Sequence, residues 1–188
     1  MDAYPLGALV RRKAFQRLIV PVIFSLMIGC FTVLPFFTSH TSTAHAAGGL
    51  QINAGGPAVS PFLADADFTG GATAATTKAI DTSSVTNPAP QAVYQSNRYG
   101  NFTYTIPGLV ASSAYTVRLH FAEEYWTAAG QRVFNVSINS TQVLTNFDIV
   151  ATTGAEYKAV VEQFSATASS SGTITVQFAA VKDNAQVN

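Results

Sequence analysis

Apolar and polar residues alternate at a period of two along much of the chain after residue 100, in short separate runs. "FTYTI" (Phe102–Ile106) turns Phe102, Tyr104 and Ile106 to one face. "YTVRLHF" (Tyr115–Phe121) turns Tyr115, Val117, Leu119 and Phe121 to one face and Thr116, Arg118 and His120 to the other. Such runs are strands with one buried face. "VFNVSI" and "QVL", separated by "NST", predict a hairpin. "FDIV", "AVVEQFSATA" and "TITVQFAA" complete the set, and "SSSG" before Thr173 predicts that the last two form a second hairpin. No stretch sustains a helical period. Short strands separated by turns predict an all-β domain, a sandwich or jelly roll. Between Pro57 and Pro90 the alternation fades into "GGATAATTKAIDTSSVTNPAP", which reads as a long surface connection.

The first 46 residues follow another pattern. Arg11, Arg12, Lys13 and Arg17 precede a 20-residue apolar run, "LIVPVIFSLMIGCFTVLPFF" (Leu18–Phe37), and the small and polar "TSHTSTAHAAGG" follows. A basic flank, an apolar stretch and a small-residue "AHA" at Ala44–Ala46 compose an export signal cleaved after Ala46. The run exceeds the ~7–15 residues of an ordinary signal core. About 20 residues span a bilayer, so an uncleaved anchor helix is the second reading. On both readings the basic flank stays inside. Residues 47–188 are then an exported domain, secreted or held at the outer face of the membrane, with membrane contact only through the N-terminal segment.

Composition narrows the function of that domain. It holds six Lys/Arg and nine Asp/Glu, a formal net charge of −3. No basic cluster remains, which argues against a nucleic-acid partner. The one cysteine, Cys30, lies in the leader, so the domain has neither disulfide nor thiol chemistry. About 140 residues suffice for one hydrophobic core.

The candidate chemistry centres on "LHFAEEYW" (Leu119–Trp126). Glycosidases place two carboxyl groups on opposite sides of one sugar. Glu123 and Glu124 are sequence neighbours, and a continuing strand would point them to opposite faces. The plainer reading is a strand end with one carboxylate bonded into the fold and the other in water. His120 is the domain's one histidine, and no G-x-S-x-G elbow, P-loop or zinc-ligand spacing is present. No metal or other cofactor is expected, although "DADFTGG" (Asp65–Gly71) supplies oxygen ligands of the kind a structural calcium takes, without EF-hand spacing. Tyr125 and Trp126 follow a strand and precede "TAAG", placing an aromatic pair near a loop. Rigid aromatics stack on the apolar faces of sugar rings; alternatively, Trp126 plugs one end of the sandwich. In "YQSNRYG" (Tyr94–Gly100), Arg98 brings a fork of donors and Tyr99 a second ring.

"INAGG" (Ile52–Gly56), "VYQSNRYG" (Val93–Gly100), "YTVRLHFAEEYW", "GQRVFNVSIN" (Gly130–Asn139), "VLTNFDI" and the closing "KDN" occur in the order found in malectin domains, which residues 50–188 resemble. The leader suggests a bacterial secreted member. The resemblance implies a galactose-binding-domain-like jelly-roll β-sandwich. It implies non-catalytic binding of a glucose-containing di- or oligosaccharide at loops on one end of the sandwich. Carried over by motif, the sugar-contacting residues are Tyr99, Tyr125, Trp126 and Asp183, with Arg98 as a support. Two departures bear on the sugar. A binding tyrosine that the family carries before "YQ" is missing from "TTKAIDTSS", and Trp126 stands where animal members have phenylalanine. The family also continues past this terminal asparagine into a further short strand, so an edge strand is expected to be absent. Attachment to a larger extracellular protein is expected as well. The alternatives are a glycoside hydrolase using Glu123 or Glu124 and a structural or adhesive module of the cell surface.

Overall fold

The structure, a computed structural model, describes residues 49–188. The signal or anchor expected within residues 1–46 lies outside the described residues, among which no helix is long and apolar enough to cross a membrane. In chain order the elements are β1 (Ile52–Asn53), β2 (Leu63–Ala64), β3 (Phe68–Ala75), α1 (Gln91–Tyr94), β4 (Ser96–Ile106), β5 (Ala114–Ala122), β6 (Val133–Ile138), β7 (Thr141–Phe147), α2 (Ile149–Thr153), β8 (Ala159–Thr167), β9 (Ile174–Lys182) and β10 (Ala185–Val187).

Two sheets face one another. The larger runs β10-β4-β9-β6-β7, with β3 also paired to β4; the smaller is β5 with β8. β1 and β2 form a separate short parallel pair. The alternation read in the sequence decides the core. Phe102 and Tyr104 of β4, Leu119 and Phe121 of β5, Phe134, Val136 and Ile138 of β6, and Ile174, Val176 and Phe178 of β9 are all buried in it. Phe102 and Phe178 stack at 4.5 Å across the β4/β9 pair. The predicted β6–β7 hairpin is present, and Asn139 and Ser140 in its turn have φ of 48° and 66°. Consecutive left-handed residues match the twist of a two-residue hairpin.

Four expectations are corrected. β8 and β9 are not a hairpin: β8 pairs with β5, whereas β9 pairs with β4 and β6. Alternation states which face is buried, and a strand meets that condition in either sheet. "FDIV" is not a strand. Phe147 ends β7, and Asp148 caps α2 by accepting from the Ala151 N–H at 2.9 Å. The stretch from Pro57 to Pro90 is not a mere connection, because it holds β3, whose eight residues are all exposed and carry no alternation. Finally, neither glutamate of "AEE" stands free in water; both are bonded into the junction at the end of β5. The chain's last residues form β10, antiparallel to the start of β4.

Candidate functional site

At the end of β5 the chain leaves the sheet through Glu123, which is fully buried. Its Oε1 accepts from the backbone N–H groups of Tyr125 (3.0 Å) and Trp126 (3.1 Å). The side chain thereby folds the loop back and turns both aromatic residues outward. Arg132, also buried, donates from Nε to Glu123 Oε2 at 2.6 Å and from Nη1 to the Asn184 carbonyl at 2.9 Å. The same Nη1 lies 3.3 Å from Asp183 Oδ2, which accepts from Trp126 Nε1 at 2.9 Å. Glu123, Arg132, Asp183 and Trp126 thus close a ring of polar contacts. Burial alone would raise the Asp183 carboxyl, but hydrogen bonds from Trp126 and Asn184 and the Arg132 charge outweigh it and hold it below its ordinary value.

Tyr125 rests on this frame and is 72% exposed. Its ring stands perpendicular to that of half-buried Trp126, centroids 4.8 Å apart. Such an edge-to-face pair fixes both rings. Tyr99 is half-buried on β4, opposite Ala72 of β3 and Gln186 of β10. Its strand reaches the aromatic loop through Asn97, whose Nδ2 donates to Glu124 Oε2 at 3.2 Å. Asn188 completes the junction. Its Nδ2 donates to Glu124 Oε1 (2.8 Å) and to the carbonyls of Tyr94 and Ser96, and its Oδ1 accepts from the Ala122 N–H. Burial raises the Glu124 carboxyl to about 7, against the opposing hydrogen bonds from Asn188 and Asn97.

Tyr125, Trp126 and Asp183 are therefore brought together; Tyr99 shares no hydrogen bond or ring contact with them, and its strand meets the loop two residues earlier, at Asn97. Arg98, next to Tyr99 on β4, turns its guanidinium into the fold. It is 4% exposed, its Nε and Nη2 donate to Asp65 Oδ2 (3.0 and 2.6 Å), and its Nη1 donates to the Gly70 carbonyl (2.8 Å). The Phe68 ring lies 3.3 Å from the guanidinium carbon. With its donors engaged and its face covered, Arg98 clamps β3 onto β4 beside Tyr99. Asp65, the first oxygen donor of the calcium-like "DADFTGG", spends its second oxygen on the Tyr104 hydroxyl (2.7 Å). Among the described residues no cluster of His, Cys, Asp and Glu could hold a metal.

The glutamates do not make a glycosidase pair. Both oxygens of Glu123 are taken by Arg132 and two backbone N–H groups, and the side chain is closed to a substrate. Open cavities of about 460 Å³, beside Arg118 and Lys158, and about 880 Å³, between Tyr104, Leu119 and Val176, include neither Tyr125 nor Trp126. The candidate site presents the Tyr125 ring on an exposed surface. Sequence reasoning missed Asn97, Arg132 and Asn188 as its frame. Arg132 carried a signal, a charge immediately before the apolar alternation of β6.

The malectin domain profile matches residues 49–188. Malectin-B of Xenopus laevis is 37% identical over 65 residues, covering 34% of this chain and 23% of that protein. Kinesin-like protein KIN-14E of Oryza sativa subsp. japonica is 33% identical over 154 residues, covering 73% of this chain and 14% of that protein. The chain thus spans only 14–23% of the length of these curated relatives. Among solved structures, the ANX2 ectodomain from Arabidopsis thaliana superposes with a TM-score of 0.67 at 20% identity, over 74% of this chain and 47% of that one. A structure described as plant peptide RALF23 in complex with FER and LLG2 superposes at 0.64 and 18% identity, over 74% and 46%. At these identities the likeness establishes the shared β-sandwich fold. The sequence match carries the rest: the chain belongs to the malectin domain family, whose domains bind carbohydrate without catalysis.

Proposed function

We propose that this protein binds a glucose-containing di- or oligosaccharide outside the cell, through Tyr99, Tyr125, Trp126 and Asp183. The observation that carries the reading is the exposed Tyr125 held perpendicular to Trp126 on a buried ion pair. An aromatic surface fixed before the ligand arrives loses little side-chain freedom on binding. Tyr125 and Trp126 offer apolar ring faces to the sugar, and Asp183 orients a hydroxyl beside them. Because the surface is exposed, affinity is modest. Residues 1–46 act as an export signal or an anchor, and the domain works as a binding module of a larger extracellular assembly.

Trp126 is the only tryptophan in the chain, so tryptophan fluorescence, excited apart from the tyrosines, reports on this loop. Titration with maltose, nigerose, cellobiose and galactobiose, followed by fluorescence and calorimetry, is expected to give saturable binding for a glucose disaccharide. In a folded Trp126→Ala variant, calorimetry is expected to show affinity lower by about tenfold or more. No binding across a broad glycan panel by the folded protein would sink the reading. Reducing-end release from a polysaccharide that is lost in Glu124→Gln would replace it with hydrolysis.

A further inference from the structure

The cavity of about 460 Å³ lies on the smaller sheet, between residues 84–86, the end of α2 and β8. Arg118 and Lys158 both line it, and no carboxylate does. Among the described residues neither cation belongs to an ion pair; the pairs are Arg98–Asp65, Arg132–Glu123 and Arg132–Asp183. The exposed Asp81 carboxyl is lowered chiefly by its hydrogen bonds to Ser83 and only last by the Lys158 charge, so it does not neutralise that lysine. In a domain of net charge −3, this concave surface is locally positive. Such a surface raises the local concentration of anions.

The donors are set out in advance. Arg118 Nη2 donates to the Thr86 and Asn87 carbonyls, both at 3.1 Å, which fixes the guanidinium and leaves its Nε and Nη1 hydrogens unspent. Gln163 stands opposite Arg118 in the β5–β8 register and also lines the cavity. The backbone adds more. The Ala159 N–H points away from β5, to the Asp81 carbonyl at 2.8 Å. Direction alternates along a paired strand, so Val161 and Gln163 turn their N–H and C=O groups the same way. They face the outer edge of β8, where no strand pairs with them and where both residues line the cavity.

These features select among anions. Gln163 lies five residues along β8 from Lys158, roughly 16 Å at the rise of a strand. A small inorganic anion engages one cation and leaves the edge groups unused. A saccharide of two or three rings reaches both cations, and each of its hydroxyls can both donate and accept along the edge. We propose that this cavity is a second carbohydrate site, which takes an anionic saccharide. Arg118 and Lys158 hold its oxyanions, and Gln163 and the β8 edge hold its hydroxyls. The oxyanion is a uronate carboxylate or a phosphate ester, whose chemistry toward these cations is shared. The site is separate from the aromatic surface, because Tyr125 and Trp126 do not line it.

The test uses the full chain in a detergent without a sugar headgroup. Calorimetry at low salt is expected to show trimannuronate binding at least about tenfold tighter than neutral mannotriose. That affinity is expected to fall about tenfold between about 50 and about 500 mM NaCl. Mannose 6-phosphate against mannose tests the other source, and the larger gain over the neutral sugar names the oxyanion. Both comparisons are made on the wild type and do not depend on a variant folding. Lys158→Gln and Arg118→Gln are each expected to weaken the preferred acid about tenfold. Lys158→Gln leaves neutral disaccharide binding unchanged. Acidic saccharides that bind no tighter than their neutral counterparts, or equally well in folded Lys158→Gln, overturn the proposal. Inorganic phosphate that binds as tightly as either acid shows an ion site only and overturns it as well. Binding of the acid without any binding of neutral disaccharides supports this site and sinks the aromatic reading alone.

Discussion

His120 in β5 and Glu124 just beyond its end carry opposite proton linkages to folding. Burial raises Glu124 from 4.5 to about 7, so the folded state holds its proton more tightly than the unfolded chain. That contribution is complete below about 4.5 and is lost as pH rises through 7. Burial, with the nearby Arg118 charge, lowers His120 from 6.5 to about 4. Its contribution is complete above 6.5 and is lost as pH falls through 4. Between 4.5 and 6.5 the two slopes oppose, and their sum is nearly flat. Glu124→Gln removes one of them. The stability difference between variant and wild type is expected to grow in the variant's favour by at most about 1.4 kcal/mol per pH unit near pH 6, falling to about half of that at 7. Urea unfolding at pH 5, 6 and 7 measures it, and a difference that does not change with pH removes the assigned burial of Glu124. Legibility at this scale follows polarity. Tyr125, Trp126 and Asp183 are readable because motif order carries them, whereas Asn97, Arg132 and Asn188 are polar residues in buried positions. A hydrophobic pattern assigns polar positions to the surface, and nothing local in the sequence marks such exceptions.

Elements position the site through close backbone contact as much as through side chains. In "INAGG", Gly55 has φ of 71°, and a Cβ there would lie 2.0 Å from the Asn97 carbonyl oxygen. The turn after β1 is thus pressed against the start of β4, at the residue that links Tyr99 to the aromatic loop. Gly130 has a similar φ of 78°, and a Cβ there would meet nothing within 4 Å. Gly130→Ala therefore meets only the backbone preference, about 1 kcal/mol. Gly55→Ala meets that and a backbone clash, and is expected to cost at least about 3 kcal/mol. Thermal unfolding ranks the two, and equal costs would mean that the β1 turn moves freely from β4. The strands themselves are readable where one face is buried: the inward sets on β4, β5, β6 and β9 follow the alternation. β3 is not readable because every residue in it is exposed and it is held by backbone pairing to β4. α1 and α2, at four and five residues, are too short to show a helical period. Pairing of β8 with β5 rather than β9 depends on contacts distant in sequence, which a local pattern does not contain.

Across the whole molecule, Asn188 joins the two sheets at the site, beside Gln186, which donates to the Ala122 carbonyl at 2.6 Å, and the Arg132–Glu123 pair. Asn188 is 4% exposed, and its amide reaches the end of α1 at the Tyr94 carbonyl, the start of β4 at the Ser96 carbonyl, the end of β5 at the Ala122 N–H, and the loop at Glu124. Its backbone N–H donates to the His120 carbonyl. Site geometry and sheet packing therefore share one tie, and loosening one loosens the other. Asn188→Ala leaves the Ala122 N–H and the Tyr94 and Ser96 carbonyls without this partner in a buried setting. At about 1–3 kcal/mol for each buried group left unpaired, the expected loss is at least about 3 kcal/mol. Hydrogen exchange separates this tie from a generic packing defect. Protection is expected to fall together at Ala122 in β5 and at Tyr99 in β4, which lie in different sheets, while the β6–β7 hairpin keeps its relative protection. Loss confined to β5 would show that the apolar core, Gln186 and Arg132 hold the sheets together without Asn188, and that the aromatic loop is positioned by Glu123 and Arg132.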